Sequence, residues 1–240
     1  MRTSHGVTTP PLHLLRPVLR ADPVISGIGK GLRRSDREHL AAIATPLRVA
    51  ADTVLYHRGA AAEALYNITS GTARVVHTTA TSRRVLAFLF SGDLCGLAKN
   101  GAYVNSVETV TAVTAFRIPL EPLAAMLKRD ADLQFSFLCK AVHAVREMQR
   151  QAVATAHRDP VDRVAAFLSM MEDAQSDEQA PGAIELPMRT RDIAEYVGIR
   201  PEEVRRAIDV LSREGAIEKV DNKSLRVVNR RRFSRRAAGG

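Results

Sequence analysis

VGIRPEEVRRAIDVL, residues Val197 to Leu211, reads as a tight turn followed by a helix. Gly198 stands where a preceding helix must stop and reverse, a place that favours left-handed backbone. Pro201 suits the first turn of the next helix, where its missing N–H costs nothing. Val204, Ile208 and Leu211 recur at helical spacing and predict one buried stripe. The opposite face carries Glu202, Glu203, Arg205, Arg206, Asp209 and Arg213. A helix that presents Glu and paired Arg in its first two turns is suited to base edges in a major groove. An ordinary amphipathic helix with a solvated charged face has the same pattern, so the neighbours must decide.

Upstream, Thr190 is placed to cap a helix over Arg191 to Val197, with Ile193, Ala194 and Val197 inward. Downstream, Gly215 ends the second helix. Ala216 to Val220 and Ser224 to Val228 then read as short strands around the turn Asp221-Asn222-Lys223. Two helices followed by a hairpin predict a winged helix-turn-helix.

The charge is +9 over 240 residues, a balance that points to a polyanionic partner. Its distribution sharpens this. Residues 158–240 hold 16 basic and 15 acidic side chains, whereas from Arg205 onward there are 11 against 4. The cations gather on the second helix, the hairpin and a tail, Arg230 to Arg236, with five arginines. The plain alternative for that tail is a solvated basic end of no consequence. No apolar run reaches the roughly 18 residues of a membrane helix, and the first residues lack the apolar segment of a secretory signal. The expectation is a cytoplasmic protein with no membrane partner. Two cysteines, Cys95 and Cys139, are far apart and lack metal-ligand spacing.

The remaining chain divides by texture. Residues 1–31 carry prolines and glycines without periodicity and read as an irregular arm. Ser35 to Glu38 form a capping-box pattern before a short helix. From Pro46 to Pro119, short β-like runs alternate with turns such as His57-Arg58-Gly59, Ser70-Gly71 and Ser91-Gly92-Asp93, which predicts an antiparallel barrel or jelly roll over 32–131. A long helix over 132–158 follows. Its apolar residues Leu138, Ala141, Val142, Val145, Met148 and Ala152 fit a two-stranded dimer seam; the alternative is that the stripe packs on its own barrel. Asp159-Pro160 marks a hinge. Residues 159–240 form the C-terminal domain, with a helix from Val161 to Ala174 and an acidic loop over 175–182. The fold class is α+β.

This order resembles the CRP/FNR family of bacterial transcription regulators over residues 32–230. Leu55-Tyr56-His57-Arg58-Gly59, Leu65-Tyr66-Asn67-Ile68 and Ser70-Gly71-Thr72-Ala73-Arg74-Val75 are similar to the family's early β-roll. Ser91-Gly92-Asp93-Leu94, Glu108-Thr109 and Ile118-Pro119 resemble its FNR and FixK branch. Val197-Gly198, Glu202, Val204 and Arg206 resemble its helix-turn-helix core. The resemblance implies an antiparallel β-roll, a dimerisation helix and a winged helix-turn-helix. It implies a homodimer on an inverted repeat of double-stranded DNA, with RNA polymerase as a further partner. Glu202 and Arg206 match the pair with which the family reads bases, and Arg205 stands where the FNR branch has Ser. Arg205 is therefore either a third base reader or a phosphate clamp; the clamp is preferred because a second inward arginine beside Arg206 would crowd like charges. Arg189, Thr190, Arg200, Lys223 and Arg230 are candidates for the DNA backbone.

The sensor end departs from the family's ligand binders. An ungapped count puts Tyr103, Val104 and Asp93 where cyclic-nucleotide binders use Arg, Ser or Thr, and Glu. A phosphate wants a guanidinium, and Tyr103 has none. No N-terminal cysteine cluster exists for iron–sulfur, and Leu97-Ala98-Lys99 replaces the haem-ligating His region. No cofactor is expected, as in FixK-like members, regulators not tied to a small ligand. Two alternatives remain. One is an effector-gated regulator, with haem or a metabolite in the β-roll or a redox thiol at Cys95 in the β-roll or Cys139 in the dimer helix. The other is a metal-dependent β-roll enzyme using His57 and His77, disfavoured because the β region has no His-x-His pair. The expectation is that the chain is not an enzyme.

Overall fold

The computed structural model describes residues 7–8, 34–96, 98–175 and 182–239. It divides into two compact units, Met1–Val145 and Arg146–Gly240. The arm expected over 1–31 and the acidic loop over 175–182 lie largely outside the described residues.

The first unit begins with β1 (Val7–Thr8) and helix α1 (Arg34–Ile43). The helix starts at Arg34, so Ser35 lies inside it and not at its cap. Ten further strands follow: β2 (Thr45–Val49), β3 (Val54–Tyr56), β4 (Ala64–Ser70), β5 (Ala73–Thr78), β6 (Arg83–Leu89), β7 (Leu94–Cys95), β8 (Ala98–Lys99), β9 (Ala102–Tyr103), β10 (Ser106–Thr109) and β11 (Val113–Pro119). They form one sheet in the order β1-β2-β11-β4-β7, a second in the order β3-β10-β5-β6, and a β8-β9 pair. All pairings are antiparallel. The expected jelly roll is thus present as two sheets around a core of Val49, Ile68, Ala73, Val107 and Val113. Strands β10 and β11 are separate because Val110–Ala112 turns the chain between them.

Gly71 shows why the Ser70-Gly71 turn needs its glycine. Its φ is 81°, and a Cβ there would lie 2.1 Å from the Ala112 carbonyl oxygen. On the β3-β10-β5-β6 sheet, Glu108 accepts from Arg74 Nε at 2.9 Å and from Arg83 at 2.8 Å. Burial alone would raise its carboxyl; the two guanidiniums more than offset this and hold it below the usual range.

A helix the sequence reading missed, α2 (Leu120–Leu127), follows β11 directly. Its Leu123 joins Leu40, Phe116, Ile118 and Leu133 in a second apolar cluster. The long helix α3 spans Ala131–Ala156, within two residues of expectation at each end.

The second unit contains α4 (Pro160–Ala174), β12 (Ala183–Glu185), α5 (Thr190–Val197), α6 (Pro201–Arg213), β13 (Ile217–Lys219), β14 (Ser224–Val227) and α7 (Arg230–Ala237). Asp159 caps α4, accepting from Val161 N–H at 2.9 Å, and Pro160 occupies its first turn. The core joins Phe167, Leu168 and Met171 of α4 to Ile193 and Val197 of α5, Val204 and Leu211 of α6, and Phe233 of α7. The hairpin supplies two strands of a three-stranded sheet in the order β12-β14-β13, with β14 central. Strand β12 carried no signal of its own: three residues with alternating burial acquire strand character by pairing with β14 forty residues later.

Two local expectations need correction. Thr190 is the first helical residue of α5 and not its cap. The cap position is Arg189, whose backbone N–H is accepted by Asp192 at 3.2 Å. In α6 the buried stripe is Val204, Ala207 and Leu211, with Ile208 only half-buried.

The candidate DNA-reading surface and the filled β-roll

The turn between α5 and α6 is built as its residues dictate. Gly198 adopts the left-handed region at φ 71° and ψ 40°. Its N–H and that of Ile199 both donate to the Ala194 carbonyl, at 2.9 and 3.1 Å, closing the end of α5. Arg163 on α4 fixes the turn from beneath, donating to the carbonyls of His157 and Gly198. Sequence reasoning missed Arg163, since neither partner is near it on any periodic face. Pro201 opens α6, and Glu203 reaches back to accept the Arg200 backbone N–H at 2.9 Å. Glu203 is thereby a helix cap, which separates its role from that of Glu202.

Glu202, Arg205 and Arg206 are all exposed. None makes a hydrogen bond or ion pair among the described residues. The helix therefore presents two guanidiniums and one carboxylate outward, with the chemistry to pair with guanine O6/N7 and cytosine N4. Of the backbone candidates, Arg189 and Thr190 lie at the start of α5 and Lys223 at the exposed hairpin tip. The hairpin turns on Asp221, which accepts the Lys223 N–H at 2.7 Å. Arg200 is 79 % exposed while its Nε lies 3.3 Å from Glu203.

Arg230 is placed differently. Its guanidinium is bidentate on Glu172 of α4, at 2.6 and 2.5 Å. The whole basic tail is helix α7 and not a solvated end. Asn229 caps it by accepting the Arg232 N–H at 3.1 Å, and Phe233 is buried. Arg236 bonds Asp159 at 3.2 Å, Asp162 at 3.1 Å and Glu214 at 2.5 Å. It ties α7 to the start of α4 and the end of α6. The sequence reading assigned this charge to DNA because its partners lie far away in the chain. Arg231 and Arg235 stay exposed.

On α3, Leu138, Val142, Val145 and Met148 are each more than half exposed. Ala141 and Ala152 are exposed too. Within the first unit, Leu138, Val142 and Val145 are not covered by the β-roll. Phe135 and Val153, at 66 % and 64 % exposed, extend it in both directions and were missed; Phe135 lies three residues before Leu138, the spacing that should have revealed it.

The β-roll interior is occupied by aromatic rings. Tyr103 stacks on Tyr56 with centroids 4.0 Å apart, and Tyr56 on Tyr66 at 5.5 Å. The Tyr103 hydroxyl donates to the Ala64 carbonyl at 2.9 Å. Val104 is half-buried beside it, and the Asp93 carboxylate accepts the Phe90 N–H at 2.8 Å, bracing a turn. Cys95 is buried against Tyr56, and burial pushes its thiol up to about 12 despite the tyrosine hydrogen bond. A thiol so rarely ionised is a poor redox sensor at neutral pH. Cys139 is exposed on α3. No group of three metal-ligating side chains occurs among the described residues.

A two-sheet β-roll, a long helix with an apolar outer stripe and a winged helix-turn-helix together define a class: transcription regulators that bind DNA through the helix-turn-helix. Comparison with known proteins agrees. Residues 46–130 match the cyclic nucleotide-binding domain family, and residues 162–236 the Crp-like helix-turn-helix domain family. The transcriptional activatory protein AadR of Rhodopseudomonas palustris is 26 % identical over 206 residues, covering 85 % of this chain and 86 % of its own. The nitrogen fixation regulation protein FixK of Bradyrhizobium diazoefficiens is 28 % identical over 154 residues, 63 % of this chain and 65 % of its own. The solved structure of FixK2 from Bradyrhizobium japonicum superposes with a TM-score of 0.76 at 23 % identity, covering 82 % of this chain and 99 % of that one. The chain thus joins a cyclic nucleotide-binding domain to a Crp-like helix-turn-helix domain, the make-up of CRP/FNR-type transcription regulators, and it is similar in sequence to AadR and FixK. The Crp-like match includes α7, in keeping with that helix being part of the domain.

Proposed function

We propose that the protein is a homodimeric, sequence-specific regulator that binds an inverted repeat without cyclic AMP or another resident ligand. The observation that carries the reading is the outer face of α6, where Glu202, Arg205 and Arg206 stand exposed and unengaged at the start of a capped helix. Arg206 reads guanine, Glu202 an adjacent cytosine, and Arg205 clamps a phosphate. Arg189, Thr190, Arg200 and Lys223 hold the backbone on either side. Two copies joined along Leu138, Val142, Val145 and Met148 set half-site centres about 34 Å apart, one turn of the duplex. RNA polymerase is the second macromolecular partner, and the cytoplasm the place of action; among the described residues no helix is long and apolar enough to cross a membrane. Neither catalysis nor a metal enters this reading.

Independence from cyclic nucleotides is supported by Tyr103, which the ungapped count aligns with the phosphate-binding arginine and whose ring and hydroxyl are engaged by Tyr56 and the Ala64 carbonyl. Selection from a random duplex library by the untreated protein is expected to enrich an inverted repeat, and added cyclic AMP to leave the affinity unchanged. An enriched site that appears only with the nucleotide, or micromolar nucleotide binding by calorimetry, would contradict the reading.

A further inference from the structure

Three acidic side chains flank the paired arginines of α6 at helical spacing. Glu202 and Glu203 precede Arg206 by four and three residues; Asp209 follows Arg205 by four and Arg206 by three. Side chains three and four apart are neighbours on a helix surface, and opposite charges attract there. A carboxylate that closed on Arg205 or Arg206 would cancel the charge on which DNA binding depends.

Two of the three are held elsewhere. Glu203 accepts from the Arg200 backbone N–H at 2.9 Å and from its Nε at 3.3 Å. Asp209 accepts from Lys219 Nζ, on strand β13 of the wing, at 2.5 Å. That hydrogen bond holds the Asp209 carboxyl below its usual range. The pair is 50 % and 55 % exposed, and ion pairs so wet contribute little to folding. Its value has to be sought in what it does to its neighbours.

The geometry points to Lys219 as a positioning residue for DNA recognition: by drawing Asp209 toward the wing, it leaves Arg205 available to the nucleic acid. Lys219 is not a DNA contact in this arrangement; it acts through Asp209. The inference rests on α6 being the DNA-reading helix.

The test uses the full chain and a duplex carrying the site that the wild-type protein selects. At low salt, Lys219→Met is expected to weaken binding on the order of fivefold, with unchanged thermal unfolding. Lys219→Arg should bind like wild type. Adding Asp209→Asn to Lys219→Met should restore affinity to within about twofold. In an Arg205→Ala background, Lys219→Met should cost nothing more. A loss that persists with Asp209→Asn, or that adds fully to Arg205→Ala, means that Lys219 touches phosphate itself and overturns the inference, as does a Lys219→Met variant with undiminished affinity. A wild-type protein that selects no duplex overturns the DNA-reading assignment itself, and the inference with it.

Discussion

Deleting residues 230–240 is expected to abolish DNA binding on every sequence, because the C-terminal domain will not hold together without α7. The deletion removes Phe233, only 1 % exposed, from the core. Emptying a buried phenylalanine site costs about 3–5 kcal/mol. It also removes Arg236, the shared partner of Asp159, Asp162 and Glu214. Asp162 is buried, and a buried carboxylate left without its partner destabilises further. Those losses rival the roughly 5–15 kcal/mol stability of an ordinary domain. The milder variants Phe233→Ala and Arg236→Met should lower the unfolding temperature of the C-terminal unit and leave that of the β-roll in place. A truncated protein that unfolds as the full chain does, with affinity uniformly reduced, would instead make the tail a free basic arm.

Replacing Val142 and Val145 by Glu is expected to give a folded monomer. Both side chains are 52 % exposed in the isolated chain, so the change should barely affect folding. In a dimer seam it sets like charges against one another in an apolar surround. The two reading helices would then bind half-sites independently, and the gain from linkage, roughly 10²–10⁴ in affinity, would vanish. Sedimentation and a DNA titration on the same sample check both halves. A dimer that survives, or a wild-type monomer that protects a symmetric site, would move the interface elsewhere.

Much of this architecture is written locally. Glycines and polar pairs mark the β-roll turns, and Gly198 with Pro201 fixes the turn of the helix-turn-helix within four residues. What stayed hidden depends on distant partners. Arg236 and Asp159 are 77 residues apart, so α7 read as loose charge although Asn229 and Phe233 supplied a cap and a core anchor. Lys219 and Asp209 meet only once the hairpin folds back on α6. Tyr103 was legible as the wrong residue for a phosphate, but not as the centre of a stack with Tyr56 and Tyr66. Cys95 differs from Cys139 by burial, which spacing does not encode.

The central claim is that α6 reads bases through Arg206, and a selection of duplexes by wild type beside Arg206→Ala tests it most directly. The account predicts an inverted repeat for wild type. It predicts a variant that still binds but has lost preference at one guanine per half-site, a discrimination of about 1–3 kcal/mol. Identical selected sites, with the affinity merely lowered throughout, would contradict it and make Arg206 a backbone contact.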